Sequence, residues 1–87
     1  MTMERSYMKQ VAGSPEQLGK ILRGERQTKE MSQQEIASKV GMRQKTVSAL
    51  ELDGGRSTIA SLFRLLSALD LAIVIQRKSD LSSESDW

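Results

Sequence analysis

Two short helical segments separated by a glycine constrain the fold of this chain more than any other feature. Ser32 stands three residues before Glu35, the spacing of a capping box that begins a helix. Gly41 is expected to end that helix, because a residue without a Cβ adopts left-handed backbone at little steric cost. A second helix is predicted from about Gln44 to Leu52. The pattern therefore predicts two helices joined by a tight turn.

Apolar residues in this stretch recur where both helices would face a common core. Ala37 is expected to be small because the second helix of the pair crosses the first there. Two helices held at roughly 90–120° by a short turn form a helix-turn-helix, whose second helix enters the major groove of DNA. The inward positions are predicted to be Ile36, Ala37, Val40, Val47 and Leu50.

One further helix is predicted on each side of this pair. Ser14 and Pro15 begin the first, which is expected to end at Thr28 or one residue later. Ser57 or Thr58 is expected to cap the last. The inward face of the last helix is predicted to comprise Ile59, Leu62, Phe63, Leu66 and Leu69.

Residues 71–77 are rich in β-branched side chains, which favours a short strand over a helix. No other part of the chain has a strand pattern, and an isolated strand cannot pair its own backbone groups. The same strand of a second copy is therefore its expected partner. The fold class is predicted to be mostly α, with four to five helices and one C-terminal β-strand that pairs across a homodimer. Dimerisation is expected from Leu71, Ile73, Val74 and Ile75.

The residues that are missing exclude several classes of protein. The chain has 87 residues, enough for one small domain, and contains no Cys and no His. It therefore lacks a thiol nucleophile, the commonest general base and the commonest zinc ligands. No apolar run approaches the ~20 residues that span a bilayer, and no secretory signal is expected. We expect a cytoplasmic protein that is not an enzyme, binds no membrane and uses no metal or other cofactor.

Charge divides the chain into a basic body and an acidic end. Residues 1–78 hold thirteen basic and eight acidic residues, a net charge of +5, whereas residues 79–87 hold three acids and no base. The asymmetry favours a nucleic-acid partner. The predicted organisation is an N-terminal arm over residues 1–13, a DNA-binding domain over residues 14–78 and an acidic flexible tail over residues 79–87.

Four spaced residues of the two-helix unit carry a resemblance to a known family. Gln33, Ala37, Gly41 and Val47 stand at relative positions 1, 5, 9 and 15, with apolar residues between them. Together they resemble the Cro/cI-type (XRE-like) helix-turn-helix family, and the resemblance extends over residues 14–69. It implies a DNA-binding domain of four or five helices.

Two scaffold features also follow from this resemblance. Arg26 and Glu51 match a family pair in which an ion pair joins the first helix to the end of the recognition helix. Glu30 departs from the family, which often has glycine before the second helix. The turn after the first helix is therefore expected to differ.

The resemblance implies DNA contacts at the start of both helices of the unit. Gln44 can pair bidentately with adenine, and Arg43 or Lys45 with guanine. The alternative is an ordinary solvated basic face. Base-reading contacts are implied for Arg43, Gln44, Lys45 and Ser48, and phosphate contacts for Ser32, Gln33 and Thr46.

The Ser-Pro helix start, the closing strand and the acidic tail that ends in Trp87 together resemble HipB-type antitoxins. This resemblance implies a homodimeric repressor on a palindromic operator in double-stranded DNA, with half-sites about 10 base pairs apart or a multiple of that. It also implies a toxin partner, a HipA-type serine/threonine kinase, which the antitoxin neutralises while repressing their shared operon. Trp87 is expected to anchor the tail on that kinase.

Two other functions fit the same residues. The first is a stand-alone Cro/cI-like repressor or restriction-system controller without a toxin partner. The second is a protein-interaction module that has lost DNA binding, although the basic and amide side chains at the reading positions count against it. A neighbouring gene that encodes a kinase-like protein would distinguish the antitoxin from the free-standing repressor.

Overall fold

The computed structural model describes residues 9–80, which are mostly helical. The first four helices are α1 (Pro15–Thr28), α2 (Gln33–Lys39), α3 (Gln44–Leu52) and α4 (Ile59–Ala68). Residues 78–80, at the end of the described range, are also helical. The predicted ends of α1 and the predicted span of α3 are confirmed. No helix in this part of the chain is long and apolar enough to cross a membrane.

Short polar side chains determine where three of the helices begin. The Ser14 hydroxyl accepts a hydrogen bond from the Gln17 N–H at 3.1 Å. Ser32 and Glu35 form both bonds of the predicted capping box, at 3.0 and 2.8 Å. The Thr58 hydroxyl caps α4 by accepting a backbone N–H at 3.0 Å. These caps are local, which is why the sequence predicts them well.

One apolar core joins the four helices. Helix α4 supplies three buried leucines and its C-cap residue supplies a fourth, and together these make a complete inward face. Ile59 and Phe63 were predicted to face inward, and this is wrong, since they are 72% and 53% exposed. The leucines occupy the inward face, and Ile59 and Phe63 lie beyond its edge. The buried apolar residues are Leu22, Ile36, Ala37, Val47, Leu50, Leu62, Leu65, Leu66 and Leu69.

Helices α1 and α3 approach closely at Gly19, which is buried in the middle of α1. A Cβ built on Gly19 would lie 2.5 Å from the carbonyl oxygen of Glu51 and 2.9 Å from that of Leu50. Both oxygens belong to the backbone of α3, so they cannot move aside as a flexible side chain could. The crossing therefore needs a residue without a side chain.

Gly19→Ala is expected to lower the free energy of unfolding by about 1–3 kcal/mol, because the added methyl group forces α1 and α3 apart. Gly24→Ala is the matched control on the same helix, since nothing lies within 4 Å of a Cβ built there. The better helix propensity of alanine should make that variant more stable by up to ~1 kcal/mol. Urea unfolding followed by circular dichroism measures both changes. If the two substitutions changed the free energy of unfolding equally and in the same direction, the close approach of α1 and α3 at Gly19 would be contradicted.

In α1, α2 and α4, the second residue after the helix has left-handed backbone. Gly41 has a φ of 67°, as its position in the sequence predicts, and Glu30 and Asp70 have φ values of 58° and 61°. The residue after each of them donates its N–H to a carbonyl five residues earlier, as in a Schellman motif. Glu30 therefore adopts the backbone that glycine favours, rather than forming a different turn.

Glu30→Gly is expected to raise the free energy of unfolding by about 0.5–1 kcal/mol, because glycine enters left-handed backbone without the steric cost of a Cβ but is freer when unfolded. The change also removes a negative charge from a helix C-terminus, where the helix dipole disfavours it. Gly41→Ala is the reverse control and should be destabilising. Thermal unfolding of both variants checks the prediction, which a less stable Glu30→Gly protein would contradict.

Residues 71–77 have no regular secondary structure in the single chain. Leu71 packs against the core, and its N–H donates to the Leu66 carbonyl at 2.9 Å. The residues beyond it are exposed. A strand that pairs across a homodimer is not confirmed and stays a prediction. Its three proposed interface side chains after Leu71 are Ile73, Val74 and Ile75, exposed by 45%, 66% and 92%.

The two ends of the chain are described only in part. The end of the predicted arm is joined to α1 by a 2.8 Å hydrogen bond from the Gln10 amide to the Glu25 carboxylate. Residues 1–8 of the arm lie outside the described residues. So do residues 81–87 of the predicted tail, including Trp87.

Candidate nucleic-acid interface

The N-terminal end of α3 presents polar side chains to solvent. Arg43, Gln44 and Lys45 are exposed, whereas Val47 and Leu50 further along are fully buried. Helix α3 therefore rests on the core through one face and presents its first turn outward. Arg43 is the N-cap residue of α3 but makes no capping hydrogen bond, so no such bond holds its side chain to the helix end.

The other residues predicted to contact DNA lie on α2 and α3. Ser32 is exposed at the start of α2, and its hydroxyl accepts the capping N–H while keeping its own hydrogen to donate. Gln33, Thr46 and Ser48 are half-buried. These placements leave the base-reading and phosphate-binding roles as predictions.

A hydrogen bond joins Gln33 to Gln44 across the helix-turn-helix. The Gln44 Nε2 donates to Gln33 Oε1 at 2.5 Å. The Gln33 Nε2 donates in turn to Glu51 Oε1 at 3.0 Å. The side chain at the tip of α3 is thus held by α2, and its Oε1 and second N–H are left for a ligand.

A buried ion pair lies behind these two amides. The Arg26 guanidinium donates from Nε to Glu51 Oε2 at 2.6 Å and from Nη2 to Oε1 at 3.1 Å. The side chains are 12% and 4% exposed, respectively. The Arg26 Nη1 also donates to the Met31 carbonyl at 2.7 Å. One guanidinium therefore joins the ends of α1 and α3 to the turn before α2.

The pKa of Arg26 is raised above its ordinary value, first because its side chain hydrogen-bonds to Glu51. Desolvation acts in the opposite direction, and the charge of the carboxylate adds to the increase. A raised pKa on a basic group means that its stabilising contribution is complete at lower pH and is lost only as the pH passes the folded value. The arginine therefore stays charged throughout the pH range in which proteins work.

This two-helix geometry matches a known family. The family model Helix-turn-helix (HTH_3) covers residues 22–75, from the middle of α1 to the segment after α4. The chain is also 32% identical over 72 residues to Antitoxin HipB of Escherichia coli strain K12. The matched region covers 83% of this chain and 82% of that protein. The chain belongs to the HipB-type helix-turn-helix family.

Further HipB proteins show the same likeness. Antitoxin HipB of Escherichia coli O6:H1 is 29% identical over 72 residues, covering 83% of this chain and 77% of that protein. A solved HipB–O4 20mer complex is similar with a TM-score of 0.74 at 30% identity, covering 79% of this chain and 97% of that chain. A HipA–HipB–O2–O3 complex matches with the same values.

In this HipB-type chain, the predicted ion pair between Arg26 and Glu51 is confirmed. Sequence reasoning did not identify the bonds that Gln33 makes to both Glu51 and Gln44, and predicted only a phosphate contact for it. These partners are 18 and 11 positions away, and both lie on α3. No periodicity indicates such a contact. One N–H of Gln33 remains for a phosphate.

Proposed function

We propose that this protein is a dimeric, sequence-specific repressor that binds operator DNA and serves as the antitoxin of a HipA-type kinase. The observation that carries the DNA-binding part is the first turn of α3, where Gln44 is exposed and yet held in place by Gln33. A side chain held in one orientation at the tip of a recognition helix suits the reading of a base edge.

The chemistry of this turn fits the major groove. The Gln44 oxygen and remaining N–H form an acceptor and a donor, the complement of the N6 donor and N7 acceptor of adenine. Arg43 and Lys45 on either side carry donors for guanine or for phosphate oxygens. Ser48 lies one turn further along as the fourth base-reading residue.

Phosphate contacts are proposed for the residues around the start of α2 and on α3. Ser32 and Gln33 each keep one hydrogen to donate, and Thr46 adds a hydroxyl. Such contacts set the register of the protein on the duplex but carry no sequence information. Binding should weaken with salt, because counterions are released from the DNA.

A second copy of the chain is proposed to cover the apolar side chains after α4. Residues 71–77 of the two copies would pair as strands, and the exposed Ile59 and Phe63 of α4 would extend the apolar surface. A symmetric dimer matches a palindromic operator with half-sites about 10 base pairs apart or a multiple of that.

The kinase partner is proposed from the similarity to HipB in the HipA–HipB–O2–O3 complex, where this chain covers 97% of the HipB chain. Repression of a shared operon and neutralisation of the kinase follow as parts of this proposal. Residues 79–87 would serve as a partner-binding tail with Trp87 as its anchor, and residues 1–13 as an arm. DNA binding would place the protein at the nucleoid in the cytoplasm.

Fluorescence anisotropy tests the proposal, with a duplex from the DNA upstream of the gene beside a scrambled duplex at several salt concentrations. Tighter binding to the upstream duplex that weakens with salt is expected. Equal affinity for both duplexes at every salt concentration would contradict operator binding and favour a protein-interaction module. Size-exclusion chromatography with the HipA-like product of a neighbouring gene tests the antitoxin part, and separate elution would contradict it.

Gln44→Ala is expected to weaken operator binding by about 1–3 kcal/mol and to relax base choice at one position per half-site. Lys29→Ala is the control, since Lys29 is an exposed base at the end of α1 and outside the helix-turn-helix. Anisotropy against single-base operator variants measures both effects. Unchanged affinity together with unchanged base preference would show that Gln44 does not read DNA.

A further inference from the structure

We propose that Glu51 is a positioning residue for base selection, because its buried carboxylate determines which atoms Gln44 presents to DNA. The inference rests on the proposed function. Glu51 does not touch Gln44 directly. The half-buried Gln33 lies between the two and hydrogen-bonds to both, so Glu51 would influence base selection through Gln33.

The first step is the polarity of the carboxylate. An ionised carboxylate accepts hydrogen bonds and cannot donate them. Both Glu51 oxygens face donors of Arg26, and the side chain is 4% exposed, so water has little access. Whatever amide atom meets Glu51 must therefore be a donor, which forces Gln33 to present its Nε2.

The second step passes this polarity to the reading side chain. With Nε2 toward Glu51, Gln33 has only its Oε1 to offer Gln44. Gln44 must then donate from its own Nε2, and it does so at 2.5 Å. Its Oε1 is consequently left as the acceptor for DNA, next to one remaining N–H.

The third step is the base that fits. An acceptor beside a donor matches adenine, whereas guanine offers two acceptors, O6 and N7, in the major groove. If the order of donors and acceptors were reversed along the chain of amides, Gln44 would turn its amide nitrogen toward the DNA. The same side chain would then favour bases that present acceptors.

Glu51→Gln removes this constraint, because the new side chain carries a donor as well as an acceptor, so Gln33 is no longer forced to present its Nε2 to position 51. Arg26→Lys is the matched control, since it weakens the ion pair but leaves an acceptor-only carboxylate at position 51. Duplexes are first selected from a random pool with the wild-type protein. The base read by Gln44 is the one whose replacement lowers the affinity of the wild-type protein but not that of Gln44→Ala.

At that base pair, Glu51→Gln is expected to lower the preference for adenine over guanine by at least about 5-fold, the lower end of what one bidentate contact provides. Arg26→Lys should keep the wild-type preference even where its stability falls. Equal preference in Glu51→Gln and wild type would overturn the inference, as would equal losses in both variants.

The side-chain amide NMR signals of Gln33 and Gln44 in the free protein provide a readout without DNA. They should shift in Glu51→Gln and stay near their wild-type positions in Arg26→Lys. If the wild-type protein selects no DNA sequence, both the proposed function and the role of Glu51 in selectivity are overturned. If the amide signals do not shift in Glu51→Gln, only the link from Glu51 through Gln33 to Gln44 is overturned. If Glu51→Gln does not fold, Gln33→Met leaves the ion pair whole, and wild-type selectivity in that variant would overturn the inference.

Discussion

Replacing Arg26 with Met is expected to lower the free energy of unfolding by about 3–5 kcal/mol, the usual effect of leaving a buried charge without its partner. Glu51 would keep its burial but lose two of its three donors, those from the guanidinium. The Met31 carbonyl would also lose its bond from Arg26. Urea unfolding at neutral pH, with the midpoint and slope fitted together, measures the change.

The double variant Arg26→Met/Glu51→Leu is the control for this prediction. Replacing both charges with apolar groups of similar size removes the unpaired carboxylate, so most of the lost stability should return. A single Arg26→Met variant within about 0.5 kcal/mol of wild type would show that the pair contributes no more than a surface ion pair does.

Ile73→Asp is expected to convert the protein from dimer to monomer, because a carboxylate would enter the apolar surface that a second copy is proposed to cover. Operator affinity should then fall by about 10²–10⁴-fold, since the two half-sites would no longer be bound by linked domains. Analytical ultracentrifugation measures the oligomeric state, and anisotropy on the operator measures the affinity.

Val11→Asp is the matched control for Ile73→Asp. Both parent residues are β-branched and about half exposed, at 49% and 45%, but Val11 precedes α1 and lies outside the proposed interface. The control should remain dimeric and bind the operator normally. An Ile73→Asp protein that still sediments as a dimer would contradict the pairing of residues 71–77.

Features fixed by neighbouring residues could be predicted from the sequence, and those fixed by distant ones could not. The capping residues Ser14 and Ser32 and the turn at Gly41 act within one helical turn, so their positions followed directly. The buried face of α4 was predicted only in part. Its apolar residues cover more than one face, and only packing selects the leucines over Ile59 and Phe63.

The candidate site shows the same limit. Arg43, Gln44 and Lys45 were identified from their place in the helix-turn-helix, and the structure places them together on one exposed turn. The bonds of Gln33 with Glu51 and Gln44 depend on how α2 and α3 pack. The pairing of residues 71–77 depends on a second copy, so a single chain leaves it untested.

The unequal freedom of the side chains at the tip of α3 has a consequence for how DNA is searched. Gln44 is hydrogen-bonded to Gln33 without DNA, so at the proposed base contact it would avoid part of the rotamer entropy, about 0.5–1.5 kcal/mol, that ordering a flexible side chain at an interface costs. Arg43 and Lys45 are exposed, and their long, flexible side chains can adapt to phosphates of any sequence. The mobile charges would therefore support sliding along non-specific DNA, while the rigid amide would lengthen residence only where the base fits.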